Sequence, residues 1–592
     1  MSEARSRVRK AAADAQPATS LHRTNGPNDS IHGLPAGCPV IPLGLAGDVR
    51  YYLTADKLLA ELPARDHSRL NLLGLFGADS QYIYFQDRWT RKNDKGHVTG
   101  WRPELVAEDM MIACSRAGVW DPANRERGRG AWRGEDNELI LHVGDQIMVF
   151  PAAPNPWPGR MVLKPGLIGR HVYPAGERTG VPSEIDLSAE KPADQLLDLL
   201  ETWRWRRGDL DAVLLLGWIG AAMIGGALKW RPAIWLTGGR GTGKSSLQGA
   251  IRDILGGAVI DLADTSAAFI WQTLRNQTLP VDVDELEADV DNRKQLAVVK
   301  LARISASGGK LGRGSDKHVP VEFTLRSSFM FSSVLMPPLQ GPDRSRLAIL
   351  DLQDLPTDVK LPDLTPGRLR AIGAALRRRL IDGWPRLDDT LELFRRCLAA
   401  HGHGARGADQ FGTLLACADL LMFSEVPTDS AAMDWAARLS AGDLSETMDD
   451  LRDEEQCLQH LLATPIDPYR KNDRINIGEW VNRAIGRMDA SVDAGEARKC
   501  LGGYGIKIER HDGRDYLAIA NFHSGLCGLY DDTRWRTPRG TTGVWVQSLR
   551  RLPGAVRGAK TLYFGGAHAK ATLIPLDLIP APDGQAQSSF HT

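Results

Sequence analysis

Residues 232–248 read Pro-Ala-Ile-Trp-Leu-Thr-Gly-Gly-Arg-Gly-Thr-Gly-Lys-Ser-Ser-Leu-Gln. Within them Gly238, Gly239, Arg240, Gly241, Thr242, Gly243, Lys244 and Ser245 fit the phosphate-loop pattern G-x-x-x-x-G-K-[ST]. The apolar run Ala233 to Leu236 reads as a buried strand entering the loop, and Ser245 to Ile254 as a helix leaving it. Glycines let successive backbone N–H groups face one centre, where the helix N-terminus adds partial positive charge. This predicts a nucleotide site in which Lys244 reaches the β- and γ-phosphates, Ser245 ligates Mg²⁺ and Ser246 follows at the helix start. The implied ligands are ATP and Mg²⁺.

A chain of 592 residues holds several domains. Lys plus Arg equal Asp plus Glu at 73 each, so any basic surface is local. Seven cysteines without a C-x-x-C pair argue against a zinc ribbon and a disulfide framework, and fit a reducing cytoplasm. No signal peptide is read at the N-terminus. Ala212 to Leu228 is uncharged for 17 residues but carries four glycines and lies next to the phosphate-loop strand. It reads as a buried helix rather than a membrane span, so no membrane partner is expected.

Residues 1–30 read as a disordered basic arm. Residues 31–190 read as a mixed α/β N-terminal domain whose Arg125–Arg133 cluster suits phosphate, an adjacent subunit or plain solvation. Residues 191–360 form the expected ATPase core. In it Leu279 to Glu287 (Leu-Pro-Val-Asp-Val-Asp-Glu-Leu-Glu) reads as a strand ending in Asp284-Glu285. Asp284 would hold Mg²⁺ through water and Glu285 would polarise the attacking water. Asp282 with Asp284 leaves open a D-x-D metal pair. Beyond it come a basic glycine-rich segment with Lys310, Arg313, Lys317 and His318, a strand ending at Ser332-Ser333, and then Arg344 and Arg346.

That succession resembles the superfamily 3 helicases, AAA+ replicative motors of phages, prophages, plasmids and small DNA viruses. The resemblance covers about Trp203 to Leu352. It implies Walker A at Lys244 and Ser245, Walker B at Asp284 and Glu285, a sensor at Ser333 and an arginine finger at Arg344 or Arg346. It also implies a DNA-gripping hairpin with Lys317 and His318 near its tip; Lys310 and Arg313 lie in the same glycine-rich segment, which reads as a projecting loop. The family usually places Asn at the sensor, where this chain has Ser; a serine can still bond water or phosphate.

Residues 361–448 suit the helical lid of such a module, with Arg377, Arg378 and Arg379 read as a solvated face. Residues 449–525 read as a winged helix: helix, strand, two helices and a hairpin turning at Asp512-Gly513. It places Arg498 and Lys499 on the recognition helix and Arg510 and Arg514 on the wing. Residues 526–592 form a basic C-terminal segment and tail. Thr533 to Ile574 has no acid, and its arginines alternate with Trp535, Trp545 and Tyr563. This suits single strands or a basic cap on the winged helix.

The expected fold is therefore α/β: an AAA+ P-loop core of parallel sheet with helices, a helical lid, a mixed N-terminal domain and a C-terminal winged helix. The expected enzyme is a cytoplasmic ATPase that moves on single-stranded DNA as a homo-oligomeric ring, a hexamer by the resemblance, with room for a primase acting in trans. Two rival readings stand beside it: a signalling ATPase switch, and a DNA-binding loader or regulator that hydrolyses ATP without unwinding.

Overall fold

The computed structural model describes residues 32–313, 321–355, 362–440, 453–467, 474–487, 494–537 and 541–581. The expected basic arm, Lys317, His318 and residues 582–592 lie outside them. The chain divides into two units, Met1–Met448 and Asp449–Thr592.

Five strands of the first unit form a parallel sheet: β1 (Ala233–Gly238), β2 (Ile260–Ala263), β3 (Val281–Asp284), β4 (Phe329–Ser333) and β5 (Leu347–Leu352). Their lateral order is β2-β3-β4-β1-β5. Strands β1, β4 and β5 are near-continuous apolar runs because both their faces are covered, as parallel sheets demand. Thr237 pairs with Ser333 and Gly238 with Leu352, so the carboxyl ends of these three strands stand level.

The uncharged stretch forms part of helix α2 (Asp209–Ile224), after the amphipathic α1 (Pro192–Leu200). A helix apolar on every side must be covered on every side. Residues Asp209–Ala227 are long and apolar enough for a membrane by composition, and their apolar window is 94% buried inside the protein. Trp218 Nε1 of α2 donates to the Phe329 carbonyl on β4 at 3.1 Å. After the sheet come α6 (Pro366–Gly383), α7 (Leu387–Ala400), α8 (Ala405–Met422) and α9 (Asp429–Arg438), with α3 (Lys244–Ile254), α4 (Ala267–Leu274) and α5 (Arg293–Ala306) inside the core.

Helices α2 and α8 touch at backbone distance. A Cβ on Gly217 would lie 2.0 Å from the Leu414 carbonyl oxygen. On α6, Gly373 meets the Ile254 carbonyl of α3 in the same way.

The arginine run on α6 corrects the expectation of a solvated face. Arg377 and Arg378 are 7% and 8% exposed. Arg377 donates to the Leu255 carbonyl, and burial lowers its guanidinium to about 10. Arg378 pairs with Asp382 at 2.9 Å and lies 4.0 Å over the Trp157 ring.

Residues 31–190 carry their own small cores, one around Tyr52, Trp89, Trp101 and Met110. Their second half does not stop at the expected boundary. Ala131, Leu139, Met148 and Phe150 share one core with α1, α2 and β1. Strand Gly130–Arg133 is stitched to the segment before β3, where Thr278 N donates to Arg129 O at 2.9 Å and Thr278 Oγ1 to Ala131 O at 3.0 Å. Much of the arginine cluster is engaged internally: Arg133 pairs with Asp388 at 2.9 Å and Arg129 reaches Gln277 at 2.8 Å.

The second unit runs helix Asp453–Ala463, strand Ile475–Asn476, helices Ile477–Ala484 and Ala494–Gly503, and hairpin Ile506–His511/Arg514–Ala520. The hairpin turns at Asp512 and Gly513, both at positive φ. Its sheet continues beyond the expected boundary at 525: Arg514–Ala520 pairs with Ala567–Pro575, which pairs with Val556–Phe564. Trp535 and Trp545 are buried in the shared core, and Trp545 stacks on Tyr530 at 5.3 Å. They are not stacking platforms for bases; of the three aromatics named above, Tyr563 is exposed, at 58%.

Gly217→Ala should lower the melting temperature, because a methyl forced into a backbone contact costs about 1–3 kcal/mol. Gly249→Ala on α3, with nothing within 4 Å, is the control. It should be neutral or stabilise by about 0.5–1 kcal/mol, as for Gly to Ala in a helix interior. Thermal denaturation of the two variants side by side reads the difference.

Candidate nucleotide site

The loop between β1 and α3 takes the shape its glycines allow. Gly238, Gly241 and Gly243 have φ of 151°, 84° and 83°. A Cβ on Gly238 would meet the Leu352 carbonyl at 2.5 Å, and one on Gly243 the Trp203 indole at 2.7 Å. Trp203 Nε1 donates to the Gly243 carbonyl at 3.1 Å, a support that the motif itself does not contain. Thr242 is buried and its hydroxyl donates to the Gly239 carbonyl at 3.1 Å. Gly239, Arg240, Gly241, Ser245 and Ser246 are exposed around the loop. Lys244 Nζ bonds the Gly238 and Gly239 carbonyls at 2.5 and 3.4 Å, so its ammonium lies across the mouth of the loop. These groups fit a polyphosphate: glycine backbone without Cβ obstruction, a lysine at the mouth and a helix N-terminus behind it.

Asp284 stands at the carboxyl end of β3. Its carboxylate accepts from Ser332 Oγ at 2.8 Å and from the Glu285 amide at 2.9 Å. Glu285 is exposed and sits at φ 55°, a left-handed conformation uncommon for a residue with a side chain. Glu287 has a different task. Its carboxylate accepts from the amides of Val334 and Leu335 at 2.5 and 2.9 Å, clasping the chain that leaves β4. Sequence reasoning missed both Glu287 and Trp203, because a cap and an indole prop follow no local motif.

Ser333 is a correction. Neighbouring strand residues point to opposite faces. Ser333 is buried and accepts from Trp235 Nε1 at 2.8 Å, away from Asp284, whereas Ser332 faces it. Asp282 is also accounted for. It lies fully buried, accepts from Gln248 Nε2 at 3.0 Å and pairs with Arg252 at 3.4 Å. It therefore does not present a metal pair with Asp284. Burial pushes its carboxyl up to about 7, against the lowering effects of Gln248 and Arg252.

Arg344 and Arg346 lie before β5, whose first residue Leu347 pairs with Ala233 at the start of β1. They are therefore at the amino edge of the sheet, a strand of about 16 Å away from the phosphate loop at 3.3 Å per residue. Arg346 is half-buried, with its guanidinium 5.9 Å over the Trp230 ring. Arg344 closes the short helix Gly341–Arg344, whose Asp343 pairs with Arg303 at 2.8 Å.

Lys310 and Arg313 lie on strand Lys310–Arg313, which pairs antiparallel with Val321–Thr324 within the basic segment. In the second unit Arg498, Lys499, Arg510 and Arg514 are exposed. Arg498 also donates to the Ala484 carbonyl at 3.2 Å and Arg510 to the Gly513 carbonyl at 3.3 Å.

No protein-family model matches the chain. No curated protein matches it either. Among solved structures, the apo structure of NrS-1 C terminal region (305-718) is 12% identical, with a TM-score of 0.30, covering 75% of this chain and 95% of that one. An A form apo structure of the NrS-1 C terminal region is 11% identical at a TM-score of 0.32, covering 91% of this chain and 97% of that one. TM-scores this low establish no common fold.

The serine pair predicts a split. Ser333→Ala should leave the buried Trp235 N–H unpaired and cost about 1–3 kcal/mol of stability. Ser332→Ala should be milder in stability and slow any ATP hydrolysis more. Denaturant melts and a phosphate-release assay on both variants read the two effects.

Asp282 predicts a pH dependence. With a folded value near 7, above the ordinary carboxylate value near 4, the folded state holds more protons between them. Stability from this group therefore falls as pH rises from about 4 to 7 and is level above. Denaturant melts at pH 4.5, 5.5, 6.5 and 7.5 should show wild type losing ground to Asp282→Asn across that range.

Proposed function

We propose that the chain is an ATP-dependent DNA motor of the AAA+ type, a phage- or prophage-type replicative helicase working as a ring on single-stranded DNA. The observation that carries this reading is the level meeting of the phosphate loop, Ser332 and Asp284 at one end of the parallel sheet, with Arg344 and Arg346 at the other. Ligands of open α/β sheets sit at the carboxyl ends of the strands. Lying between β1 and β3, strand β4 supports a sensor role for Ser332, between the phosphate loop and Asp284.

Bound ATP with Mg²⁺ supplies the phosphoryl group and the charge clamp on it. The loop amides and Lys244 would hold the phosphates, after the ammonium leaves the Gly238 carbonyl. Ser245 and, through water, Asp284 would hold the metal. The Glu285 carboxylate would accept a proton from the attacking water, while Glu287 and Ser332 hold the Asp284–Glu285 turn in place. Arginines at the amino edge are out of reach of their own subunit's phosphates. A finger there serves a neighbour, which is why the reading requires a ring.

The deciding measurement is ATPase rate with and without single-stranded DNA at two salt concentrations. Stimulation that fades with salt supports the motor; a signalling switch would ignore the DNA. Lys244→Ala should abolish nucleotide binding or turnover, and Glu285→Gln should bind ATP but stall. Wild-type turnover in Glu285→Gln would sink the assignment of the base. Mixing Arg344→Ala/Arg346→Ala with Lys244→Ala protein should restore part of the activity, since fingers are worth roughly 10³–10⁵ in rate. No rescue at any ratio counts against a shared site.

A further inference from the structure

A second cleft lies in the first unit, on the amino side of the sheet and away from the phosphate loop. Its volume is about 400 Å³. Asn276, ahead of β3, and Arg326, ahead of β4, line one part of it. Arg125, Arg127, Arg170 and His171 line another, and Thr324, the last residue of strand Val321–Thr324, lines it too.

The charge in this cleft is not balanced. Four arginines face one acid, Glu126. The Glu126 carboxylate accepts from Asn276 Nδ2 at 2.5 Å, and burial raises its carboxyl above the usual range. Among the described residues, Arg170 alone of the four has a carboxylate partner, Glu135 at 2.9 Å. Arg127 donates to the Tyr173 hydroxyl at 2.9 Å and to the Arg133 carbonyl at 3.3 Å, both neutral. Arg127 and Arg326 both lie over the Trp132 ring, at 5.5 and 5.8 Å. Burial, then the charge of Arg127, pulls the Arg326 guanidinium down. His171 is pushed down to about 4 by burial and by Arg127, Arg170 and Arg125, so it adds no charge at neutral pH.

Arg125 and Arg170 are exposed, whereas Arg127 and Arg326 are partly buried side by side, and holding those two guanidiniums together without an anion is unfavourable. Planar guanidinium forks match phosphate oxygens. Trp132 is 7% exposed beneath the two arginines, so the cleft offers no open ring for a base. Its polar walls suit backbone phosphates and carry no sequence information.

We propose that this cleft is a second phosphate site, which holds the backbone of a single-stranded DNA running past the paired strands Lys310–Arg313 and Val321–Thr324. The inference rests on the DNA-motor reading. It adds Arg125, Arg127, Arg170 and Arg326 to the track, at a place separate from the nucleotide.

The test uses the full chain and fluorescence anisotropy of a labelled 20-residue oligo-dT across a salt series. Arg125→Gln/Arg326→Gln removes two guanidiniums without touching the phosphate loop. The variant should bind more weakly, and its log–log salt slope should fall by about 1.4, at roughly 0.7 per phosphate contact on single strands. Arg125→Lys/Arg326→Lys should recover most of the binding, which a merely misfolded variant would not explain. ATPase without DNA should match wild type in both. Oligo-dT binding with wild-type affinity and slope in the Gln variant overturns the proposal while leaving the motor reading intact. Wild-type protein that fails to bind oligo-dT sinks both. A melting shift with inorganic phosphate that the Gln variant loses, while oligo-dT binding stays unchanged, would instead assign the cleft to a free phosphate and overturn the DNA track.

Discussion

Strand β1 is paired in parallel on both sides, with β4 and with β5, and the rest of the site depends on that register. Thr237 beside Ser333 and Gly238 beside Leu352 put three strand ends at one level. A slip by one residue would exchange the faces of every side chain on the strand. The Trp235–Ser333 hydrogen bond would then break, and the phosphate loop would no longer stand level with Ser332 on β4. The burial of Ile234, Trp235 and Leu236, each fully inaccessible, holds the register, because a slip would exchange the faces that each of them packs against.

The phosphate-loop helix is held at both ends by groups outside the motif. At its start Trp203 props Gly243. Just beyond its end Arg377 donates to the Leu255 carbonyl, where a positive charge also complements the negative end of the helix dipole. Gly373 lets α6 come down onto the Ile254 carbonyl. The helical segment that follows the sheet is thus packed against α3 at backbone distance, and a shift of α3 would be felt directly by α6. Cores packed to this density pass displacements on rather than absorbing them.

What could be read in advance was whatever the local pattern dictates. The phosphate loop, its flanking strand and helix, the strand ending at Asp284 and the Asp512-Gly513 hairpin each occupy a few consecutive residues whose chemistry demands the shape. The uncharged helix was legible as buried because its four glycines and its place beside β1 left a membrane a poor alternative. Arg377 and Arg378 were not legible: a basic run on a helix is ordinarily a solvated face, and only tertiary partners, the Leu255 carbonyl, Asp382 and the Trp157 ring, draw these two inward. Trp535 and Trp545 misled for the opposite reason. Aromatics between arginines suit a nucleic-acid surface, but here the rings fill the core while arginines such as Arg534 pair at its edge with Asp453.

The serine pair marks the limit of a one-dimensional reading. Ser332 and Ser333 are chemically identical and adjacent, so nothing in the sequence chooses between them. A strand sends them to opposite faces, and the choice is made by what covers each face. One face of β4 at this level carries Trp235 of β1, whose N–H needs an acceptor once its ring is buried. The other carries Asp284 of β3. The same logic separates Asp282 from Asp284, which do share a face. There the difference is depth: Asp282 is fully buried against Gln248 and Arg252 of α3, and Asp284, one step beyond at the strand end, is only partly buried. Facing and depth together bring one serine and one aspartate together at the carboxyl end of the sheet, and both follow from the pairing of β3, β4 and β1.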